Sequence, residues 1–263
     1  MSAAPIGSSH PSGEVSIIVN ADDLGMSREV NEAVFELMRR GRLLSASLLA
    51  NAPAAGEAIR EVSSFPQCSF GAHLNITEYE PLSRAPGLAG LVDREGRMRH
   101  LPAGFGFSMT MLRAIYAEWS AQIEKLASNG VPISHLDSHT HIHLRPALFP
   151  VIKALQRTYG IRRIRRRHNI PISTEPVRLT ARVRRFIYDW SMRHICNSLT
   201  TDGETDLTTL ISVGSSRHLD FRTVEALVHP GNPYYPGDVG LLLSPWEKNL
   251  CFPVRFVSYH QLS

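Results

Sequence analysis

Short apolar runs rich in β-branched residues alternate with amphipathic stretches along most of this chain. Val15–Asn20 (VSIIVN) is mostly apolar, the pattern of a strand buried on both faces of a parallel sheet. A helix over Arg28–Arg40 follows, with Val30, Val34, Leu37 and Met38 on one face, Ser27 placed to cap it and Gly41 to stop it. The alternation continues with a strand at Leu43–Asn51, a helix at Pro53–Ser63 and a strand at Phe70–Thr77. Met111–Ser128 reads as a helix whose Leu112, Ile115, Trp119, Ile123 and Leu126 face the core. A strand end lies in Ile133–Pro146, and Pro146 suits the first turn of a helix running to Gly160. The spacing then predicts a short arginine-bearing strand over Ile161–His168 and a helix over Leu179–Ile195 with Val183, Phe186, Ile187 and Trp190 as core. Strands over Leu207–Gly214 and Val224–His229 come next, and a last strand lies within Asn249–Val257.

Strands alternating with helices imply right-handed βαβ units and a parallel α/β fold, either a barrel or a doubly wound sheet. Polar residues recur where the strands end, which favours a (β/α) barrel with its chemistry at the C-terminal rim. Residues 1–14, rich in Ser, Pro, Gly and Ala, read as a flexible tail. With no repeat and no linker-like break, 15–263 reads as a single domain. Glu78–Thr110, with repeated Gly and Pro, has the character of a lid or substrate loop.

Composition narrows the options. At 263 residues and 43% hydrophobic the chain can bury a full core. Its net charge of +4 comes largely from two clusters, Arg162–Arg167 and Arg178–Arg193, so no nucleic-acid partner is implied. Three scattered cysteines without a CxxC fit free thiols in a reducing compartment. No apolar run reaches membrane-span length and no signal-peptide core is visible, so a cytoplasmic protein is expected.

The chemistry concentrates in Ile133–Pro146 (ISHLDSHTHIHLRP), where His135, His139, His141 and His143 surround Asp137. Imidazole is the commonest biological metal ligand, so so dense a cluster points to metal binding more than to a set of surface histidines. Asp22 and Asp23 close the first strand side by side, an arrangement that a cation ordinarily compensates. His73 lies among apolar neighbours on the third strand, and His229 ends a later one before Pro230 and Gly231. In a barrel, Asp22/Asp23, His73, Asp137/His139 and His229 would converge from four strand ends.

Together, NADDLG (Asn20–Gly25), GAHLNIT (Gly71–Thr77), HLDSHTHIHLRP (His135–Pro146) and HPG (His229–Gly231) resemble the motifs of the YdjC-like carbohydrate deacetylase family, in the family's order. The resemblance implies a deformed (β/α) barrel, one divalent metal ion and hydrolysis of an N-acetyl group on an amino sugar. By residue it implies Asp23, His73 and His139 as metal ligands, Asp22 as general base and His229 as general acid. Asp137, His143 and Arg165 are expected to bind substrate, with Asp137 also placed to fix a histidine tautomer. Two imidazoles and one carboxylate suit zinc, while the family resemblance allows magnesium. The alternatives are a metal-dependent phosphoester hydrolase gripping phosphate with Arg165 or Arg167, and a non-catalytic sugar-binding protein. Apolar residues near the C-terminus leave room for a homodimer.

Overall fold

The computed structural model describes residues 13–170 and 179–263, so nearly all of the expected tail lies outside the described residues. The chain runs β1 (Val15–Leu24), α1 (Arg28–Arg39), β2 (Ser45–Leu48), α2 (Ala55–Val62), β3 (Ser69–Leu74), α3 (Met109–Ser128) and β4 (Ile133–Ser138). It continues as α4 (Phe149–Tyr159), α5 (Leu179–His194), β5 (Gly203–Asp206), α6 (Leu207–Gly214), β6 (Thr223–Val228), α7 (Asp238–Leu243) and β7 (Val254–Phe256). Local signals act as the sequence predicts. Ser27 accepts from the Val30 amide, and Gly41 and Gly160 take the left-handed backbone that ends α1 and α4.

All strand pairs are parallel, in the order β4-β3-β2-β1-β6-β5, with β7 beside the start of β1. The space between the β4 and β5 edges is spanned by the arginine-rich segment 161–170. Its Arg165 amide donates to Leu136 O (3.0 Å) on β4, its Ile164 amide to Leu199 O (3.0 Å), and its Asn169 amide to Glu204 O (3.1 Å) on β5. An irregular stave thus stands where a regular barrel would have a strand. The result is a deformed (β/α) barrel.

Strand alternation divides the core in two. Val15, Ile17, Val19 and Ala21 of β1 join Ala46, Phe70, Ala72, Val224 and Ala226 in the layer beneath the helices. There Phe35, Ile115, Trp119 and Leu155 are fully covered, each stabilising the fold by roughly 1.5–3 kcal/mol. The inward face is different. Ile18, Val257, Tyr259 and Leu262 form a small apolar floor, so the C-terminal residues plug the barrel. Above that floor the interior is polar.

Two expectations are corrected. Leu207–Gly214 is a helix, and the strand beside β6 is Gly203–Asp206. Leu207, Leu210, Val213 and Gly214 are buried at helical spacing, and Asp206 caps the turn by accepting from the Thr209 amide (2.8 Å). Helix α5 forms where expected, but its Val183, Phe186, Ile187 and Trp190 are 48–69% exposed. It packs instead through Met192 and through Tyr188, which meets Phe149 edge-on.

Candidate metal centre

β1 brings two consecutive carboxylates to one place, which a regular strand cannot do. Its pairing with β2 slips by one residue between Ala21 and Leu24, and Asp23 adopts a left-handed φ of 67°. This bulge turns both side chains inward. His73 Nε2 then lies 3.5 Å from Asp23 Oδ1 and 4.0 Å from Asp22 Oδ2. His139 enters from the turn after β4, its Nδ1 2.9 Å from Asp23 Oδ1 and its Nε2 3.4 Å from Glu78 Oε1. The two residues after it, Thr140 and His141, both have φ of 53°. Left-handed non-glycine backbone is uncommon, and three of its instances here adjoin or belong to this cluster.

Asp23, His73 and His139 form a buried group that can hold a metal ion. The fit is visible in the hydrogen bonding. Asp137 Oδ1 lies 2.9 Å from His73 Nδ1, so a neutral His73 donates there and presents its Nε2 lone pair to two carboxylates. A positive charge must stand between them, either a proton or a metal. The 3.5 Å separation is wide for a hydrogen bond yet suits two donors on one ion at about 2.0–2.2 Å each. A carboxylate behind a ligating histidine is also the usual device that fixes its tautomer.

Electrostatics agree. Burial would lower the His73 imidazole, but Asp137 and Asp22 overcome it and raise it to about 10. Burial likewise opposes His139, which Asp23 and Glu78 raise to about 9. His135 and His143, enclosed without a hydrogen-bonded carboxylate, are pushed by burial down to about 3. Burial would raise Asp23, yet the hydrogen bond from His139 and the His73 imidazole facing it at 3.5 Å hold it well below the ordinary carboxylate range. The charge that these imidazoles carry is the charge a dication would supply.

Below this layer sits Arg165, which is 0% exposed. Its guanidinium forks onto Asp22 with two 2.6 Å bonds, and also reaches Asp137 Oδ2 (2.8 Å) and Glu225 Oε1 (2.8 Å). Tyr259 donates to the other Glu225 oxygen (2.5 Å). Ser47 donates to Asp137 (2.6 Å), and Asn20 donates to Asp22 (2.8 Å). His135 stacks on Tyr259 with centroids 3.6 Å apart. Gly71 makes room for it, since a Cβ there would fall 2.4 Å from the imidazole. His143 shares a 2.5 Å contact with Ser138 Oγ and faces the Arg165 carbonyl at 3.2 Å.

Asp137, His143 and Arg165 are therefore all enclosed and engaged with other protein groups. Expected to meet substrate, each is bonded within the protein and helps to hold the site together. His229 is half-buried at the end of β6, where the pairing of Val228 with Ala21 puts it alongside Asp22. Sequence reasoning missed Asn20, Ser47, Glu225, Tyr259 and Asn232, whose Nδ2 donates to Asp23 Oδ2 (3.0 Å). One signal could have found most of them. In β1, β2 and β6 the polar residues recur with period two against an apolar alternate face, as expected when the inside of a barrel is the polar side.

Glu204 stands apart. It is 0% exposed beside Glu225, and neither carboxyl oxygen has a hydrogen-bond partner among the described residues. Burial and the neighbouring Glu225 push its carboxyl up to about 8 from 4.5. The folded state thus keeps a proton that the unfolded chain releases, so its contribution to stability declines as pH rises from 4.5 through 8. Glu204→Gln should raise the urea midpoint at pH 8.5 and leave it nearly unchanged near pH 5. A lower midpoint for the variant at pH 8.5 would mean that the ionised carboxylate is stabilised by a partner.

Comparisons with known proteins place the chain in a family and match its fold. A carbohydrate deacetylase of Vibrio campbellii is 33% identical over 145 residues, covering 55% of this chain and 57% of that protein. One from Geobacillus stearothermophilus is 37% identical over 158 residues, covering 59% and 62%. The chain spans about three-fifths of the length of these curated relatives. A solved structure from Enterococcus faecalis V583, named for cellobiose-phosphate cleavage, superposes with a TM-score of 0.71 at 22% identity. It covers 94% of this chain and 98% of its own, and shows the same fold. The family model described as YdjC-like protein matches residues 16–244, a span that takes in every strand from β1 to β6 and all four site-bearing strand ends, and the chain belongs to that family.

Proposed function

We propose that this protein is a metal-dependent carbohydrate deacetylase that removes an N-acetyl group from an amino sugar. The observation that carries the reading is the Asp23–His73–His139 group, with Asp137 behind His73, next to a second carboxylate at Asp22. The relatives named carbohydrate deacetylase at 33% and 37% identity supply the reaction class. Asp23, His73 and His139 would hold the metal, a donor set suited to zinc and related ions. When bound, such an ion polarises an acyl oxygen and lowers the pKa of water.

The chain's own residues supply the rest. Burial would raise the Asp22 carboxyl, but Arg165 overcomes it and keeps the group ionised, so it can accept the proton of an attacking water. Arg165 also fixes its orientation by gripping both oxygens. His229, on the adjoining strand end, would protonate the departing amine. The phosphoester alternative is weakened, because Arg165, one of its two candidate phosphate grips, is enclosed and already paired.

Incubation with N-acetylglucosamine oligomers and with a generic phosphoester tests the reading. Acetate and free amine should appear without phosphate. His229→Ala should fold and bind metal like the parent while kcat falls by about 10²- to 10⁴-fold. Release of phosphate with acetyl groups untouched would replace the deacetylase reading with the phosphoester one.

A further inference from the structure

The loop after β6 is a closed circuit. The Asn232 amide donates to His229 O (3.1 Å), the Tyr235 amide to Asn232 O (2.9 Å), and the Asp238 amide to Tyr235 O (3.2 Å). The His229 amide then donates to Asp238 Oδ2 (2.6 Å), which closes the ring. Each backbone link advances three residues, so the segment is a series of tight turns tied end to end. Gly231, with φ of 79°, seats it against α1, where a Cβ would fall 2.6 Å from Glu29 O. Asn232 belongs to the circuit and also holds Asp23 Oδ2 (3.0 Å).

On this frame the Tyr235 ring lies over the His229 imidazole, with centroids 4.1 Å apart and planes 15° from parallel. No hydrogen bond fixes that imidazole among the described residues, so the stacked ring and the closed loop set its plane. A proton donor works only when aimed at the departing atom, and a displacement of about 1 Å can cost a hundredfold in rate. Tyr235 is 46% exposed, so its removal opens no sealed cavity.

We infer that Tyr235 is a positioning residue: its ring holds His229 in the orientation from which it protonates the leaving amine, and the loop locks that orientation to Asp23. The inference rests on the deacetylase reading and goes beyond it. Its signature is a dependence on the leaving group. An amine must be protonated as it departs, whereas the 4-nitrophenolate of 4-nitrophenyl acetate departs without a proton.

The test compares parent, Tyr235→Ala and Tyr235→Phe, all metal-loaded, on an N-acetylglucosamine oligomer and on 4-nitrophenyl acetate. Tyr235→Ala should lose about a hundredfold in kcat on the sugar with little change in KM. Its rate on the aryl ester should fall by no more than about threefold, and its metal content should match the parent. Tyr235→Phe, which keeps the ring, should recover most of the sugar activity. Equal losses on both substrates would mark a merely structural role and overturn the inference. So would parent-like sugar turnover in Tyr235→Ala, which would leave the deacetylase reading standing. A parent enzyme that releases no acetate from any sugar would overturn both.

Discussion

His139→Ala is expected to lose most bound metal and nearly all activity while remaining folded. The substitution removes, from the turn after β4 near the rim, one of the two imidazoles that face Asp23 Oδ1. Asp23 keeps Asn232 and His73, so its carboxylate is not left without partners. Loss of a ligand should exceed the 10- to 100-fold effect typical of a group standing behind one, and a fall in turnover of more than about a thousandfold is expected. Metal analysis after gel filtration, alongside acetate release, decides the matter. Parent-like metal content would remove His139 from the ligand set and shift attention to the alternative buried group of Asp22, His73 and Asp137.

Arg165→Met should give the largest loss of stability of any single substitution around the site. Asp22, Asp137 and Glu225 all direct an oxygen at this guanidinium within 2.8 Å, and none of the four groups is more than 4% exposed. Stripping one partner from a buried ion pair costs about 3–5 kcal/mol, and here three carboxylates lose theirs together. The urea midpoint should fall accordingly at pH 7. The sign of the pH dependence follows from the same contacts. Burial would raise the Asp137 carboxyl, but Arg165 and His73 hold it far below the ordinary range. Without Arg165 these groups take protons more readily, so the deficit should shrink as pH falls towards 5. A midpoint unchanged at pH 7 would show that water or another cation neutralises the cluster.

These two residues illustrate what the sequence can and cannot convey. His139 sits in a run of four histidines and announces itself. Arg165 sits in IRRIRRRH, where composition offers five arginines and no way to choose among them. The choice is made by closure of the barrel, because the irregular stave 161–170 aims one arginine inward onto carboxylates 143, 28 and 60 residues away in sequence. Glu225 and Tyr259 escaped for the same reason: each is ordinary alone and becomes part of the site only through a partner far along the chain. The strand and helix order was legible because period-two and helical patterns are local. The error at Leu207–Gly214 arose because the few apolar positions of an eight-residue segment do not separate the two periods, and the N-cap at Asp206 decided it. The exposed face of α5 was misread because apolar spacing reveals a face but not whether anything covers it.

The adjacency of Asp22 and Asp23 carries the same lesson in miniature. Sequence showed two neighbouring carboxylates, which an ordinary strand would point to opposite faces. Only the bulge and the left-handed Asp23 bring both to His73, which the proposed division into one ligand and one base requires.

The central claim is that acetate release depends on a metal held by Asp23, His73 and His139. The most direct measurement strips the purified protein with chelator, adds back zinc or magnesium in steps, and follows bound metal and acetate from N-acetylglucosamine oligomers together. Activity that vanishes on stripping and returns in proportion to about one bound ion per chain is the result predicted here. Full acetate release from metal-free protein, or metal bound equally well by the Asp23→Ala, His73→Ala and His139→Ala variants, would contradict it.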